Sequence, residues 1–357
     1  MSSPALLSSL LGVAVAEWVP VEPWAVARVR LGDGRWVVAK WDRGFHLTVP
    51  AETRLAAEAA ALRFLAEDAG VLMAPRMLAA GGGLVVMEDL SPRVAVDGLV
   101  RRDGSAAHRE RLVAFAQARG ALGAVSAGRL EAFYARRGQV DRTVDVAGQL
   151  AGLRDAGLAA AADLLEAPMA GRALAEWRSA LEALADPGPF LTLSNGDAEA
   201  NNCLVAPGGD PDARLIDFEF AGFRHALHDA VCLVVPGPGW LSVADRFGLV
   251  AEFRRALALG VPAAEDDQLF GAGLAAACVA FAAVRSQRLG ELDRRAAGDG
   301  SRVQLVAVTE AAAGAAQDFL PALASWWWRV SAALRRRWPD ADVDVTALPP
   351  YTPRPRP

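Results

Sequence analysis

The stretch SNGDAEANNCLVAPGGDPDARLIDFEF, residues 194–220, decides how this chain is read. It concentrates residue types that the rest of the sequence nearly lacks. All three asparagines, Asn195, Asn201 and Asn202, lie here around Asp197, and the only isoleucine, Ile216, directly precedes Asp217. Asn-Gly and Asn-Asn pairs are ordinary turn chemistry, and either half of the stretch alone would be read as a turn. Two such halves about 20 residues apart, joined at Gly208-Gly209, are more specific. A loop from Asp197 to Asn202 lets the carboxylate face a substrate hydroxyl while the amide oxygen reaches a metal. The apolar pair Leu215-Ile216 then delivers Asp217 at a strand end.

Working outward, the next scarce residue is Lys40, the only lysine among 37 basic residues. It ends the run Trp36-Val37-Val38-Ala39-Lys40. In a chain that otherwise uses arginine throughout, a compact ammonium here has two readings: a surface lysine on a strand, or a cation required for its shape. The Ala- and Leu-rich 3.6-residue period over 51–68 predicts a helix closed by Gly70. That helix offers Glu58 to hold the ammonium, with Glu52 as competitor. Phosphoryl transfer from a nucleotide needs a cation on the phosphates, oxygen ligands on Mg²⁺ and a carboxylate beside the attacking hydroxyl. Lys40, Asn202 with Asp217, and Asp197 are the candidates.

Composition bounds the remainder. At 357 residues and 53% hydrophobic, the chain can bury a large core in two lobes. A net charge of −5, with no basic tract beyond Arg335-Arg336-Arg337, gives no support to a nucleic-acid partner. Three scattered cysteines, Cys203, Cys232 and Cys278, fit a reducing, cytoplasmic setting. No membrane span is expected. The apolar start at residues 4–16 is too short and reads as an amphipathic helix through Leu6, Leu7, Leu10 and Leu11, and the Ala-rich run 274–283 reads as a buried helix. No signal speaks to oligomeric state.

Along the chain, alternation over residues 25–31 and 35–40 around Asp33-Gly34 predicts a hairpin. Leu84-Val85-Val86-Met87 reads as a buried strand ending at Glu88-Asp89-Leu90, where Ser91-Pro92 marks a boundary. Helical segments follow near 106–136, 144–166 and 171–185, broken at Gly138 and Pro168. Short strands are expected at 190–193 and 214–218, then helix over 241–338 and an irregular or disordered Pro-rich tail, 339–357. The expected fold class is α+β, with a small sheet-plus-helix lobe at 1–89 and a larger helical lobe at 90–338, of which 91–185 shapes the acceptor site.

These residues resemble the aminoglycoside phosphotransferase and choline kinase group of protein-kinase-like small-molecule kinases. That family's catalytic loop reads His-Gly-Asp-x4-Asn and is followed by an Ile-Asp-Phe/Trp-Glu strand. Here the counterparts are Asn195-Gly196-Asp197 through Asn202, then Ile216-Asp217-Phe218-Glu219. The resemblance implies a protein-kinase-like bilobal fold with Asp197 as catalytic base and Asn202 and Asp217 as Mg²⁺ ligands. It implies Lys40 and Glu58 as the phosphate-binding pair, and Glu88, Asp89 and Leu90 as the hinge whose backbone holds adenine. Asn195, Glu219 and Asp229 would be secondary cleft residues, Asp229 bracing the loop. Two departures stand out: the family's His is Asn195, and the first hairpin, residues 19–29, contains no glycine.

The expected function is transfer of the ATP γ-phosphate, with Mg²⁺, to a hydroxyl of an aminoglycoside-like antibiotic, amino alcohol or related metabolite. The competing expectation is a catalytically inactive kinase-fold binding protein, motivated by those departures. A dicarboxylate hydrolase using Asp197 and Asp217 explains neither Lys40 nor Asn202. Lesser signals have structural readings: His225-x-x-His228 as core against a metal site, Trp326-Trp327-Trp328 as core against a stacking surface, and Glu265-Asp266-Asp267 as a helix cap against an acceptor contact.

Overall fold

The computed structural model describes residues 4–41, 51–137, 146–243 and 246–355. The side chain of Glu52 and the break at Gly138 lie outside the described residues. Helix α1 (Pro4–Leu11), strands β1 (Val15–Pro20), β2 (Val26–Leu31) and β3 (Trp36–Trp41), helix α2 (Ala51–Arg63), and strands β4 (Met77–Gly81) and β5 (Leu84–Glu88) follow in turn. The strands form an antiparallel sheet in the order β1-β2-β3-β5-β4. The Asp33-Gly34 hairpin forms as expected, the Leu31 N–H donating to the Arg35 carbonyl at 2.8 Å. Gly82 and Gly83 close β4 onto β5 with φ of 56° and 77°, a two-residue turn that side chains enter only with strain.

The period of two along β3 sorts its side chains. Val37 and Ala39 join Leu7 of α1 in one apolar layer, whereas Val38 packs with the layer that includes α2. Lys40 shares the face of Val38. Helix α2 buries Ala57, Ala60, Ala61 and Leu62, carries Glu58 into the same layer, and continues as one π-helical turn, Phe64–Asp68. An ammonium and a carboxylate are thereby brought together inside apolar surroundings.

The second lobe is helical. Strand β6 (Val94–Ala95) and helices α3 (Val96–Asp103), α4 (Arg109–Ser126), α5 (Leu130–Arg137), α6 (Val146–Leu164) and α7 (Gly171–Ala185) lead to strands β7 (Leu191–Ser194), β8 (Cys203–Val205), β9 (Arg214–Leu215) and β10 (Gly222–His225). Helices α8 (Val231–Val234), α9 (Arg246–Ala258), α10 (Asp267–Ser286), α11 (Leu289–Leu292), α12 (Gly300–Ala316) and α13 (Pro321–Arg337) complete it. Helix α10 is longer than the Ala-rich run implied. At 20 residues it is apolar enough to cross a membrane by length and composition alone, yet most of it is buried against α6, α7 and α12. Asp266 caps it, accepting from the Gln268 and Leu269 N–H groups at 2.8 and 3.0 Å. Trp326 and Trp327 are core residues packed edge to face, and Trp328 is 42% exposed.

Three expectations need correction. The strand expected over 214–218 is only Arg214–Leu215, because Asp217 turns to φ 62°. His225-x-x-His228 is not on an α-helix: His225 ends β10, and its Nδ1 accepts from the Leu227 N–H at 3.3 Å. No cluster of three or more His, Cys, Asp or Glu that could hold a metal occurs among the described residues. The tail is irregular but not disordered through Pro355. Tyr351 is buried against Trp240, and the Thr352 carbonyl accepts from the Leu241 N–H at 2.9 Å.

His225 stacks on Phe190 at 5.1 Å, and burial lowers its pKa to about 4, while burial and the charges of Arg224 and Arg154 lower that of His228 to about 3. Both values lie below the unfolded 6.5, so the two histidines cost nothing above that pH and oppose folding as pH falls below it. Urea midpoints should therefore drop between about pH 6.5 and 4, and His225→Asn, which keeps a capping acceptor but no titration, should flatten that slope. A slope identical to wild type would reject the assignment. The α4–α9 contact supplies a second test. A Cβ on Gly120 would overlap the Phe253 carbonyl oxygen and lie 2.9 Å from Ala256 Cβ. Gly120→Ala should cost about 1–3 kcal/mol by urea unfolding. The control Gly98→Ala, with nothing within 4 Å, should be neutral or slightly stabilising.

Candidate active site

Strand pairing puts the scarce residues side by side. Cys203 pairs with Leu215 across β8 and β9, and the Ile216 N–H donates to the Asn202 carbonyl at 3.0 Å. Asn202 and Asp217 therefore emerge from adjacent strand ends, as the two half-motifs required. On the other side, β7 pairs with β10, Ser194 opposite Gly222, which fixes the start of the loop. Gly196 follows with φ 85°, and a Cβ there would overlap the Phe220 carbonyl oxygen. Only glycine fits this close approach.

Asn195 is fully buried and uses both ends of its amide. Its Oδ1 accepts from Arg119 Nη1 at 2.6 Å and from the Asp197 N–H at 3.3 Å, and its Nδ2 donates to the Ile216 carbonyl at 3.0 Å. Arg119, from α4, is 1% exposed; its Nη2 also donates to the Asp197 and Glu199 carbonyls at 3.2 and 3.4 Å. Asp229 accepts from Ser194 Oγ at 2.5 Å, Ser194 Oγ accepts from the Gly196 N–H at 3.0 Å, and Arg119 Nη1 stands 4.0 Å from the Asp229 carboxylate. Sequence reading missed Arg119. Nothing distinguishes it among so many arginines except burial, which helix periodicity at an Ala-rich stretch does not mark.

Asn202 Nδ2 donates to the Asp197 carbonyl at 3.1 Å, and its Oδ1 accepts from Asn201 Nδ2 at 3.0 Å. Burial, then the charge of Asp217, raises the Asp197 carboxyl above its ordinary range, against the pull of Arg119 and Asn202. Burial, followed by the charge of Asp197, raises Glu199 to about 8.

Across the cleft, Lys40 Nζ donates to Glu58 at 2.7 Å and to the Asp217 carboxylate, with Glu219 at 3.5 Å. Burial alone would lower the lysine pKa. The charges of Glu58, Asp217 and Glu219 outweigh it and hold the ammonium protonated. Burial, with the Asp217 charge, pushes Glu58 upward against the pull of Lys40 and a hydrogen bond from the Phe218 N–H. Glu219 also has Arg54 Nη1 at 3.7 Å, a second cation that sequence reading did not identify.

At the end of β5, where the sequence led to the expectation of a hinge, the Glu88 and Asp89 carboxylates are engaged. Asp89 accepts from Arg28 Nη2 at 2.6 Å and from the Ser91 N–H at 3.0 Å, and Glu88 accepts from the Arg76 N–H at 3.2 Å. Leu90 is buried, its carbonyl taking the Arg93 N–H at 3.1 Å. Any nucleobase contact here falls to the backbone.

The buried pair makes a direct prediction. Lys40→Met leaves Glu58 without its cation and should lower stability by about 3 kcal/mol or more. Adding Glu58→Gln should restore much of that loss. Chemical unfolding of the four proteins gives the coupling, and additive losses would contradict the pair.

A sequence model described as the phosphotransferase enzyme family matches residues 22–260. No curated protein matches the chain. Among solved structures it is similar to an amicoumacin kinase in complex with AMP-PNP and Ca²⁺, at 12% identity, TM-score 0.51, covering 96% of this chain and 95% of that one. It is also similar to a choline/ethanolamine kinase family protein from Mesorhizobium loti, at 16% identity, TM-score 0.49, covering 90% and 93%. A macrolide 2'-phosphotransferase from Brachybacterium faecium gives 20% identity, TM-score 0.47, covering 92% and 96%.

Proposed function

The chain belongs to the phosphotransferase enzyme family, and from that premise we propose that it moves the γ-phosphate of ATP, with Mg²⁺, to a hydroxyl of a small molecule such as an amino alcohol or an aminoglycoside-like antibiotic. The observation that carries this reading is Lys40 Nζ in contact with both Glu58 and Asp217, three distant stretches meeting at one cation. The first lobe, through Asp89, would hold the nucleotide, and the second the acceptor.

The donor set suits Mg²⁺. Asp217 is 36% exposed on its side chain, Asn202 turns its amide nitrogen to the Asp197 carbonyl and its oxygen to Asn201 Nδ2, and both offer hard oxygen ligands. Two protein ligands suffice where phosphate oxygens and water complete the shell. A bound Mg²⁺ would supply positive charge to phosphate oxygens as charge shifts toward the leaving group. Lys40 would exchange its contact with Asp217 for a phosphate oxygen while Glu58 keeps it aimed. Asp197, made more basic by burial, would accept the proton of the acceptor hydroxyl and orient its oxygen for attack. Arg119 and Asn195 would act as positioning residues through the loop backbone. Those two bonds favour a working loop over the inactive-scaffold reading, although the glycine-free flap keeps that alternative in the test.

A coupled assay with Mg·ATP and a panel of alcohols, amino alcohols and aminoglycosides should detect transfer. Asp197→Ala should reduce it about 10³-fold or more while the thermal shift produced by AMP-PNP with Mg²⁺ survives. Asp217→Asn should abolish the Mg²⁺ dependence of that shift. Full transfer by Asp197→Ala would remove the assigned base, and no shift in wild type would favour the inactive scaffold.

A further inference from the structure

Away from the cleft lies a cavity of about 720 Å³ that none of the candidate site residues lines. Helical spacing explains where it sits. Ala114, Gln117 and Ala121 recur on the face of α4 turned away from Arg119, and Glu252, Arg255, Ala256 and Leu259 form one stripe along α9. The segment Val71–Met73 ahead of β4 and the turn between β8 and β9 close the remaining sides.

The hollow exists because small side chains stand on walls that cannot move inward. Ala118, Ala213 and Ala256 project little into it. Helices α4 and α9 already approach so closely at Gly120 that a Cβ there would overlap the Phe253 carbonyl oxygen, so they cannot close further. The Met73 carbonyl accepts from the Leu215 N–H at 2.7 Å, which ties the third wall to β9. Protein interiors otherwise fill such space, and this volume falls within the roughly 300–1,000 Å³ of ligand pockets. Two further lining residues, Leu72 and Leu259, are 62% and 87% exposed, apolar surface that an apolar ligand would take out of water.

Polar groups on the lining set the sign of the ligand. The charged lining residues are two arginines, Arg214 and Arg255, and one carboxylate, Glu252. Glu252 is already served twice, accepting from Gln117 Nε2 at 2.8 Å and from Arg255 Nη1 at 2.6 Å. Arg255 spends one nitrogen on that bond, and its side chain remains 68% exposed. Arg214 Nη1 lies 2.6 Å from Asp212, but Arg93 also engages Asp212, so one carboxylate is shared between two guanidinium groups. Positive charge and spare donors are therefore left beside an apolar hollow.

We propose that this cavity is a second ligand site, one that takes an amphiphilic monoanion: an alkyl chain in the alanine-lined hollow and a carboxylate toward Arg255 and Arg214. A carboxylate matches guanidinium donors in both charge and geometry, a neutral alcohol offers no charge, and an alkylammonium is repelled. The site does not depend on the phosphotransferase reading.

The test is titration calorimetry of the full-length protein with decanoate, decanol and decyltrimethylammonium, each below its micellar concentration. Decanoate should bind saturably at one per chain, decanol about tenfold more weakly, and the cation more weakly still. Arg255→Gln should bring decanoate down to the affinity of decanol and leave decanol unchanged. Ala118→Phe, which fills the hollow, should remove binding of both, with a urea midpoint near wild type showing that it folds. Should that variant unfold, Arg255→Gln decides alone, because its exposed position tolerates the change. No saturable decanoate binding by wild type, equal affinity for the three head groups, or unchanged decanoate affinity in Arg255→Gln would overturn the assignment. Retained binding in a folded Ala118→Phe would do the same.

Discussion

A single ammonium ties together parts of the chain that share no local sequence. Lys40 on β3, Glu58 on α2 and Asp217 beyond β9 are joined through one Nζ atom, and the Lys40–Glu58 pair is buried where water screens it little. The geometry behind it is elementary. A period of two along β3 aims the lysine away from α1, and a helix packed on that same face presents a glutamate to it. Had either element slipped register, a charge would have been buried without its partner. Three carboxylates, Glu58, Asp217 and Glu219, gather there around two cations, Lys40 and Arg54.

The loop across the cleft is built differently, from neutral and backbone groups around one buried arginine. Asn195 stands where the resembling family carries histidine, and its amide bridges Arg119 to the Ile216 carbonyl. An amide offers one acceptor and two donors on a short stem, enough to tie the Asp197 segment to the Asp217 segment. Arg119 supplies the long reach. A guanidinium can serve several carbonyls at once, which a lysine cannot do with comparable geometry.

Most of the scaffold was legible. Helix α2, the Asp33-Gly34 hairpin, the docked N-terminal helix and the Asp266 cap follow from periodicity and turn chemistry that act locally. The spacing of Asp197, Asn202 and Asp217 was legible because short hairpins convert sequence separation into proximity. What could not be read was long-range. Arg119 looks like any arginine on an Ala-rich helix until the 195–199 loop closes over it. Glu199 reads as a loop acid until the Gly237 backbone is placed against it. The tail misled for the same reason: prolines forbid regular structure, but they do not forbid a buried tyrosine and a few backbone bonds. The strand expected to run to Phe218 stops early because Asp217 adopts a conformation that propensity assigns to other residues.

That conformation bears on any attempt to stabilise the protein. With φ at 62°, Asp217 occupies backbone space where glycine or asparagine would rest more comfortably. A designer ranking substitutions by folding free energy alone would be drawn to replace it. Such a variant would relieve the backbone while removing the acceptor that Lys40 contacts. Stability-guided redesign of this chain should hold that position fixed, because an easier backbone would be gained by giving up the carboxylate that meets Lys40.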